Sequence, residues 1–293
     1  MSVTSDDVYV GRHFGGRMIE ITPELAAHYA GSVDDQNPWY AGESPFGKAV
    51  APALLLHSEV YNSLAWYLPR IYGNLHARQE WELFQPALVG DRVTTSSTIV
   101  DRYLKGDREY VVNEVSCLAE DGRMLNRGRT HQSFLLDPAN AGTVVDKERE
   151  KRTDRRFEVG EGEVIESIAG PVKEVTLEMC QLFSGPRKNY HNDVDEARKL
   201  GFPDIVVQGM MPLCFISEMM TNRFGEGWFA GGRMNVNLVN VVWRGDQLTA
   251  RGLIREITVE GSRRRSRLDV WCEKEDGTKV VVGSASAVLR GTV

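Results

Sequence analysis

The chain has little that would mark it for export, for a membrane or for nucleic acid. Its 293 residues include four cysteines, Cys117, Cys180, Cys214 and Cys272, with no Cys-x-x-Cys pair and no histidine beside them. A disulfide scaffold and a thiolate metal site are therefore excluded, and reduced thiols in a cytoplasmic protein are expected. The first residues, MSVTSDDVYVG, contain acids and no apolar stretch, so no signal peptide is read there. The longest apolar run, near Ala49–Leu56, is far too short to cross a bilayer. With a net charge of −6 the chain lacks the basic footprint of a nucleic-acid binder. There is no Walker loop and no Gly-x-Ser-x-Gly elbow. Gly15-Gly16 and Gly231-Gly232 fit no dinucleotide fingerprint. His28, His76 and His131 have no partner at metal-ligand spacing, so no metal is assigned.

What the chain does contain is an internal repeat. Gly90-Asp91 is echoed by Gly245-Asp246, Gly106 by Gly261, Glu120-Asp121-Gly122 by Glu275-Asp276-Gly277, and Gly128 by Gly283. Each pair is separated by the same 155 positions (245 − 90 and 283 − 128, for example). A period this long means a duplicated domain and not a solenoid. In the first half, Asp91–Val100, Glu109–Leu118 and Gly128–Leu136 read as strands joined by turns at Gly106-Asp107 and Asp121-Gly122. Gln247–Ile257, Arg265–Glu273 and Val280–Leu289 repeat the pattern. Such a meander needs one face covered. The cover is expected from Ala53–Tyr67 and Met210–Phe224, whose thick apolar stripes read as buried helices. The charged stretch 137–162, with Pro138 and the run DKEREKRTDRRFE, reads as a linker between halves 1–136 and 163–293.

Chemistry points to Leu182–Met211. The run Ser184-Gly185-Pro186 stops a helix, His191 and Asp193 follow in a polar turn, and regular structure resumes at Gly209. Such a loop suits an imidazole held over a helix start, whose free N–H groups stabilise charge developing on a carbonyl oxygen. A merely solvated histidine fits the same letters. Likewise Asp35 with Asn37-Pro38 is a turn signal as well as a catalytic one. His57 reads as a satisfied helix residue. Arg263, Arg265 and Arg267 share one face of a regular strand, where they meet phosphates or form a solvated face balanced by acids.

A helix wrapped by an antiparallel sheet, duplicated in tandem and preceded by a polar loop, resembles the double hotdog of the MaoC-like (R)-specific hydratases and dehydratases. The fold class implied is α+β, with a long central helix in each repeat. The family's loop motif is Asp-x-Asn-Pro-x-His. Tyr29–Tyr40 resembles it in the first half and Phe183–Asp193 in the second, and Gly209-Met210 resembles the start of the family's helix. Both loops depart from it. The first has Tyr40 where His belongs; the second has His191 but Pro186 and Lys188 where Asp and Asn belong, and Gln208 replaces a second His.

The resemblance implies a hydro-lyase interconverting 2-enoyl-CoA and 3-hydroxyacyl-CoA, with coenzyme A as part of the substrate and no other cofactor. It assigns catalysis to His191, Asp35 and Asn37. Gly209, Lys188, Asn189 and Tyr40 are assigned to substrate binding, with Gly209 N–H as oxyanion donor. A site shared between Asp35 and His191 runs against the pseudo-symmetry, which sets equivalent loops at opposite ends. The alternatives are a different reaction on a thioester, or a non-catalytic thioester-binding subunit. A homodimer or a partner hotdog subunit is the expected assembly. Trp66, Trp228 and Phe229 are candidates for narrowing the acyl pocket.

Overall fold

A computed structural model of the chain describes residues 8–58, 75–136 and 159–289. Ten strands form one antiparallel sheet: β1 His13–Glu20, β2 Leu75–Leu83, β3 Arg92–Lys105, β4 Arg108–Ala119, β5 Met124–Leu135, β6 Glu166–Glu174, β7 Arg233–Leu238, β8 Gln247–Glu260, β9 Arg263–Lys274 and β10 Lys279–Leu289. Their order across the sheet is β1-β3-β4-β5-β2-β7-β10-β9-β8-β6, which reads the same from either edge. β2 and β7 pair at the centre through Arg78–Glu82 against Arg233–Asn237, so the halves share one sheet. The repeat extends to irregularities. β3 shifts register between Ile99 and Asp101, and β8 does so between Ile254 and Glu256, 155 residues on. Gly106 and Gly261 turn the matching hairpins with φ of 62° and 63°.

Local chemistry sets the helices. α1, Pro23–Ser32, starts at Thr22, whose Oγ1 accepts from Leu25 N at 3.1 Å, with proline in the first turn where no N–H is needed. α2, Leu177–Ser184, is capped alike by Thr176, and it packs against α1. α3, Val194–Lys199, is capped by Asp193, which accepts from Asp195 N and Glu196 N. α4, Met211–Phe224, is the long helix of the second half and ends at Gly225, with φ of 51°. It is wrapped nearly all round, and along it only Asn222 and Arg223 are exposed. The sheet residues Leu248, Ala250, Ile254, Leu268, Val270 and Ala285 share its core. Short α5, Glu226–Phe229, follows.

The first half differs. The helix expected over Ala53–Tyr67 is described only as far as Ser58, and there Leu55–Ser58 is a 3-10 turn. Leu55 N bonds Pro52 O and His57 N bonds Leu54 O, both three residues back, which tightens the turn. Trp66 and most of the expected linker lie outside the described residues, and 159–162 carry no helix or strand. A long central helix is therefore a feature of the second half alone among the described residues. All four cysteines are free and buried. No described helix is long and apolar enough to cross a membrane, and no metal-holding group of side chains occurs among the described residues.

Candidate functional site

Two polar loops follow α1 and α2, and each turns on an asparagine. Asn37 Oδ1 accepts from Trp39 N at 2.9 Å, and Asn189 Oδ1 accepts from His191 N at 2.8 Å. Beyond the turns both loops are anchored alike: Val50 N bonds Trp39 O and Val206 N bonds Tyr190 O, while Val50 and Val206 bridge to Leu88 and to Trp243, its counterpart in the repeat. By this anchor His191 stands where Tyr40 stands, one residue past the bonded carbonyl in each loop.

In the first loop Tyr40 Oη donates to Asp35 Oδ2 at 2.7 Å, and Asn37 N donates to Oδ1 at 3.2 Å. Burial raises the Asp35 carboxyl, against the pull of these two donors. Burial, and then Asp35 itself, holds the Tyr40 phenol well above its ordinary range. Beside them lies a cation that sequence reasoning missed. Lys173, on β6, donates to the carbonyls of Val33, at 3.0 Å, and Asp34. Its Nζ also lies 2.8 Å from Glu218 Oε2 of α4, with side chains only 4% and 8% exposed. That contact has ion-pair distance but not hydrogen-bond angles, so Oε2 has no hydrogen-bond donor. Burial, opposed by Lys173, pushes Glu218 up to about 7. The sequence signal was a glutamate inside the apolar run of α4, which demands a buried cation. Nothing in the letters singled out Lys173.

Next to this group, Tyr29 Oη lies 2.6 Å from His57 Nδ1 and 3.2 Å from Cys214 Sγ. The His57 ring stacks on Phe183 of α2. His57 is fully enclosed, and burial brings it down to about 4. The first loop is therefore packed against α1, α2 and α4 with its polar groups turned on one another.

The second loop spends several of its polar groups on itself. Lys188 is exposed and bonds Asp193 Oδ2 at 2.6 Å. Asn189 Nδ2 donates to Arg187 O. Asn192 is buried, with its Nδ2 on the carbonyls of Gly185 and Arg187. His191 Nδ1 lies 2.7 Å from Val206 O, and burial lowers its pKa to about 4. A carbonyl only accepts, so Nδ1 carries the proton and the neutral ring keeps a lone pair on Nε2. Asp35 and His191 have no hydrogen-bond partner in common among the described residues.

Val206 leads into Gln208-Gly209-Met210 and the start of α4. Met211 N is bonded to Gln208 O and Cys214 N to Met210 O, while Gly209 N has no partner among the described residues. A side chain at Gly209 would crowd Leu238, and the ring of His76 stands just beyond, which the sequence reading had set aside. Burial drives His76 down to about 3, and its Nε2 lies 3.1 Å from Gln79 Oε1, which also accepts from Thr130 Oγ1 at 2.8 Å. These residues begin a polar ladder on the inner face of the first half, continued by Ser97 and Asn113, 2.7 Å apart, and by Gln132. At the same positions 155 residues on, the second half has Ala250, Gly252, Leu268, Ala285 and Ala287 against Thr95, Ser97, Asn113, Thr130 and Gln132. Trp228 and Phe229 do not line this region. Trp228 bonds Ser217, and Phe229 packs on Trp39 and Phe46.

Residues 8–126 match the family described as the FAS1-like, dehydratase domain region. No curated protein sequence matches the chain. Among solved structures, a MaoC-like dehydratase superposes with a TM-score of 0.71 at 15% identity, covering 97% of this chain and 98% of the other. A MaoC-like dehydratase of Phytophthora capsici gives 0.72 at 13% identity, with 98% of each chain covered. A Mycobacterium tuberculosis protein with a double hotdog fold gives 0.66 at 13% identity, covering 97% of each.

Proposed function

From a chain whose first half matches the FAS1-like dehydratase region, and whose whole length has the fold of MaoC-like dehydratases, we propose a hydro-lyase acting on acyl thioesters. In this reading, residues 1–136 and 163–293 are the two hotdog repeats and His191 is the acid/base group. The observation that carries it is the bond between His191 Nδ1 and Val206 O, which leaves a neutral imidazole with an Nε2 lone pair, held on the segment that runs into α4. In hydration, Nε2 takes a proton from water as the water oxygen bonds the β-carbon of a 2-enoyl thioester. The electron pair of the double bond moves to the thioester oxygen, which Gly209 N–H meets. The α-carbon then takes that proton from the imidazolium as the enolate collapses to the 3-hydroxyacyl thioester, which returns His191 to its neutral form. Coenzyme A enters as part of the substrate, and no other cofactor is called for.

Asp35, Asn37 and Tyr40 hold the first loop together in this reading, and Lys188 and Asn189 do the same in the second. The test is hydration of a panel of 2-enoyl-CoA thioesters, followed by loss of the enoyl absorbance. His191→Ala is expected to lose about 100-fold or more in kcat, and Asp35→Asn to keep turnover within a few-fold. Equal turnover by His191→Ala and the parent chain would overturn the assignment.

A second reading rests on the same loops. Pro186 and Lys188 in place of the motif's Asp and Asn, with Asp35 closed off by Tyr40, suit a thioester-binding subunit of a homodimer or of a partner hotdog protein. It predicts coenzyme A binding with no turnover until the partner is added.

A further inference from the structure

The outer face of the sheet, opposite α4, carries a groove of about 540 Å³ across the β2–β7 seam. Six arginines line it: Arg127, Arg129, Arg233, Arg255, Arg265 and Arg267. One cross-strand row runs through it by register: Arg127 opposite Glu82, Glu82 opposite Arg233, Arg233 opposite Ser286, Ser286 opposite Arg267, and Arg267 opposite Glu256. Charges alternate along this row except at Ser286, where two guanidinium groups flank a hydroxyl.

The duplication supplies an internal control. Arg233, Asn235 and Ser286 are the 155-residue counterparts of Arg78, Glu80 and His131. In the first half, Glu80 is the shared acid: Arg78 lies 2.9 Å from its Oε1 and His131 Nε2 lies 3.1 Å from the same oxygen. In the second half that acid is Asn235, whose Oδ1 already accepts from Arg78. Arg233 is exposed, and its guanidinium has no hydrogen bond or ion pair among the described residues.

The neighbouring acids are already engaged. Glu82 is bonded to Arg127, Asp269 to Arg255 at 2.8 Å, and Glu260, whose field reaches Arg233, to Arg265 at 2.8 Å. Arg267 stands 3.7 and 3.8 Å from Glu260 and Glu256, too far for hydrogen bonds, so its donors are not spent on them. Arg265 Nη1 also reaches Ser286 Oγ at 3.2 Å.

We propose that this groove binds a small organic oxyanion, a phosphate or carboxylate group held by Arg233 and Arg267 over Ser286, where the first half supplies its own carboxylate from Glu80. One strand, β10, lies between the arginines, so two strand spacings set them about 10 Å apart along the sheet, a gap that two long guanidinium side chains close on one anion in forked geometry.

Titration calorimetry of the full chain with inorganic pyrophosphate, and separately with citrate, tests this against sodium chloride at equal ionic strength. Saturable binding of either anion is expected, and Arg233→Gln should weaken it about tenfold or more. Asn235→Glu restores the missing carboxylate, so it should abolish binding while raising the melting temperature. Arg198→Gln, on α3, should bind as the parent does. The free-ligand and thioester-carrier sources of the anion are told apart by KM for an acyl-CoA. It stays unchanged in Asn235→Glu if the ligand is a separate molecule and rises if the carrier's phosphates sit in the groove. Absence of saturable binding beyond the chloride control, or full binding by both Arg233→Gln and Asn235→Glu, overturns the proposal.

Discussion

Lys173 carries a positive charge into a place where its first-half counterpart position on β1 is apolar. It is held by two backbone carbonyls of the first loop and by Glu218 of the second half's helix, so its hydrogen bonds tie the halves while its ionic contact stays within the second. Removing one member of such a pair costs more than the pair contributes, because the other charge stays buried and alone. Lys173→Met should therefore lower stability by about 3–5 kcal/mol, read by urea melts. The double variant Lys173→Met with Glu218→Leu should recover much of that loss. Equal stabilities of the single variant and the parent would show that the carbonyls and the acid do not depend on the cation. At this scale the sequence was least informative: the Glu218 carboxylate stands out inside an apolar helix, but its partner comes from a strand at the far edge of the sheet.

Strands were the legible elements. Six of them, β3 to β5 and β8 to β10, follow from alternation, β-branched residues and turn glycines spaced alike in both halves. β1, β2, β6 and β7 did not stand out. β1 is mostly exposed and carries Gly15 and Gly16, and β7 is six residues long with polar residues at alternate positions. α4 was legible because Met211, Leu213, Phe215, Ile216, Met219 and Met220 make a thick apolar stripe. The repeat gave equivalent positions but not equivalent reasons: Gly283 is pressed by the β7 backbone at Asn235, whereas Gly128 lies under the ring of Trp81. A methyl group at Gly128 would overlap that ring, so Gly128→Ala should cost about 1–3 kcal/mol. Gly128→Ala combined with Trp81→Leu should cost less than the two single changes added together. Additive losses would place the ring's importance elsewhere. The loops were legible as loops, but the contacts that close them, Tyr40 on Asp35 and His191 on Val206 O, were not, since each joins residues whose meeting depends on the backbone's path.

Across the whole molecule, buried titrating groups set the pH range of the fold. His57 and His191 are held near 4 and His76 near 3 by burial. Between those values and the unfolded value of about 6.5, the unfolded chain binds more protons, so stability rises with pH through that window. Glu218, raised to about 7, has the opposite sign. From its unfolded value upward the folded chain holds the extra proton, so its contribution falls until about pH 7. Three histidines outweigh one glutamate below pH 6.5, and above it the glutamate acts alone. The melting temperature should climb steeply from pH 4 to about 6.5 and slip slightly by pH 7.5. His57→Gln should flatten the climb. A profile flat from pH 4 to 6.5 would mean that these rings are protonated in place.

The pairing of β2 with β7 also has a bearing on how many chains make one folded unit. The seam is five residue pairs long, and the two strands are separated by about 150 positions of chain. Nothing in the pairing itself distinguishes a β7 from the same chain from the β7 of another. What favours the internal partner is tethering, worth an effective concentration in the millimolar range for a flexible connection. Below that concentration each molecule closes on itself. In a crowded inclusion or a concentrated stock, reciprocal exchange of halves makes a closed pair, and non-reciprocal exchange makes an open chain of molecules, each lending its second half to the next.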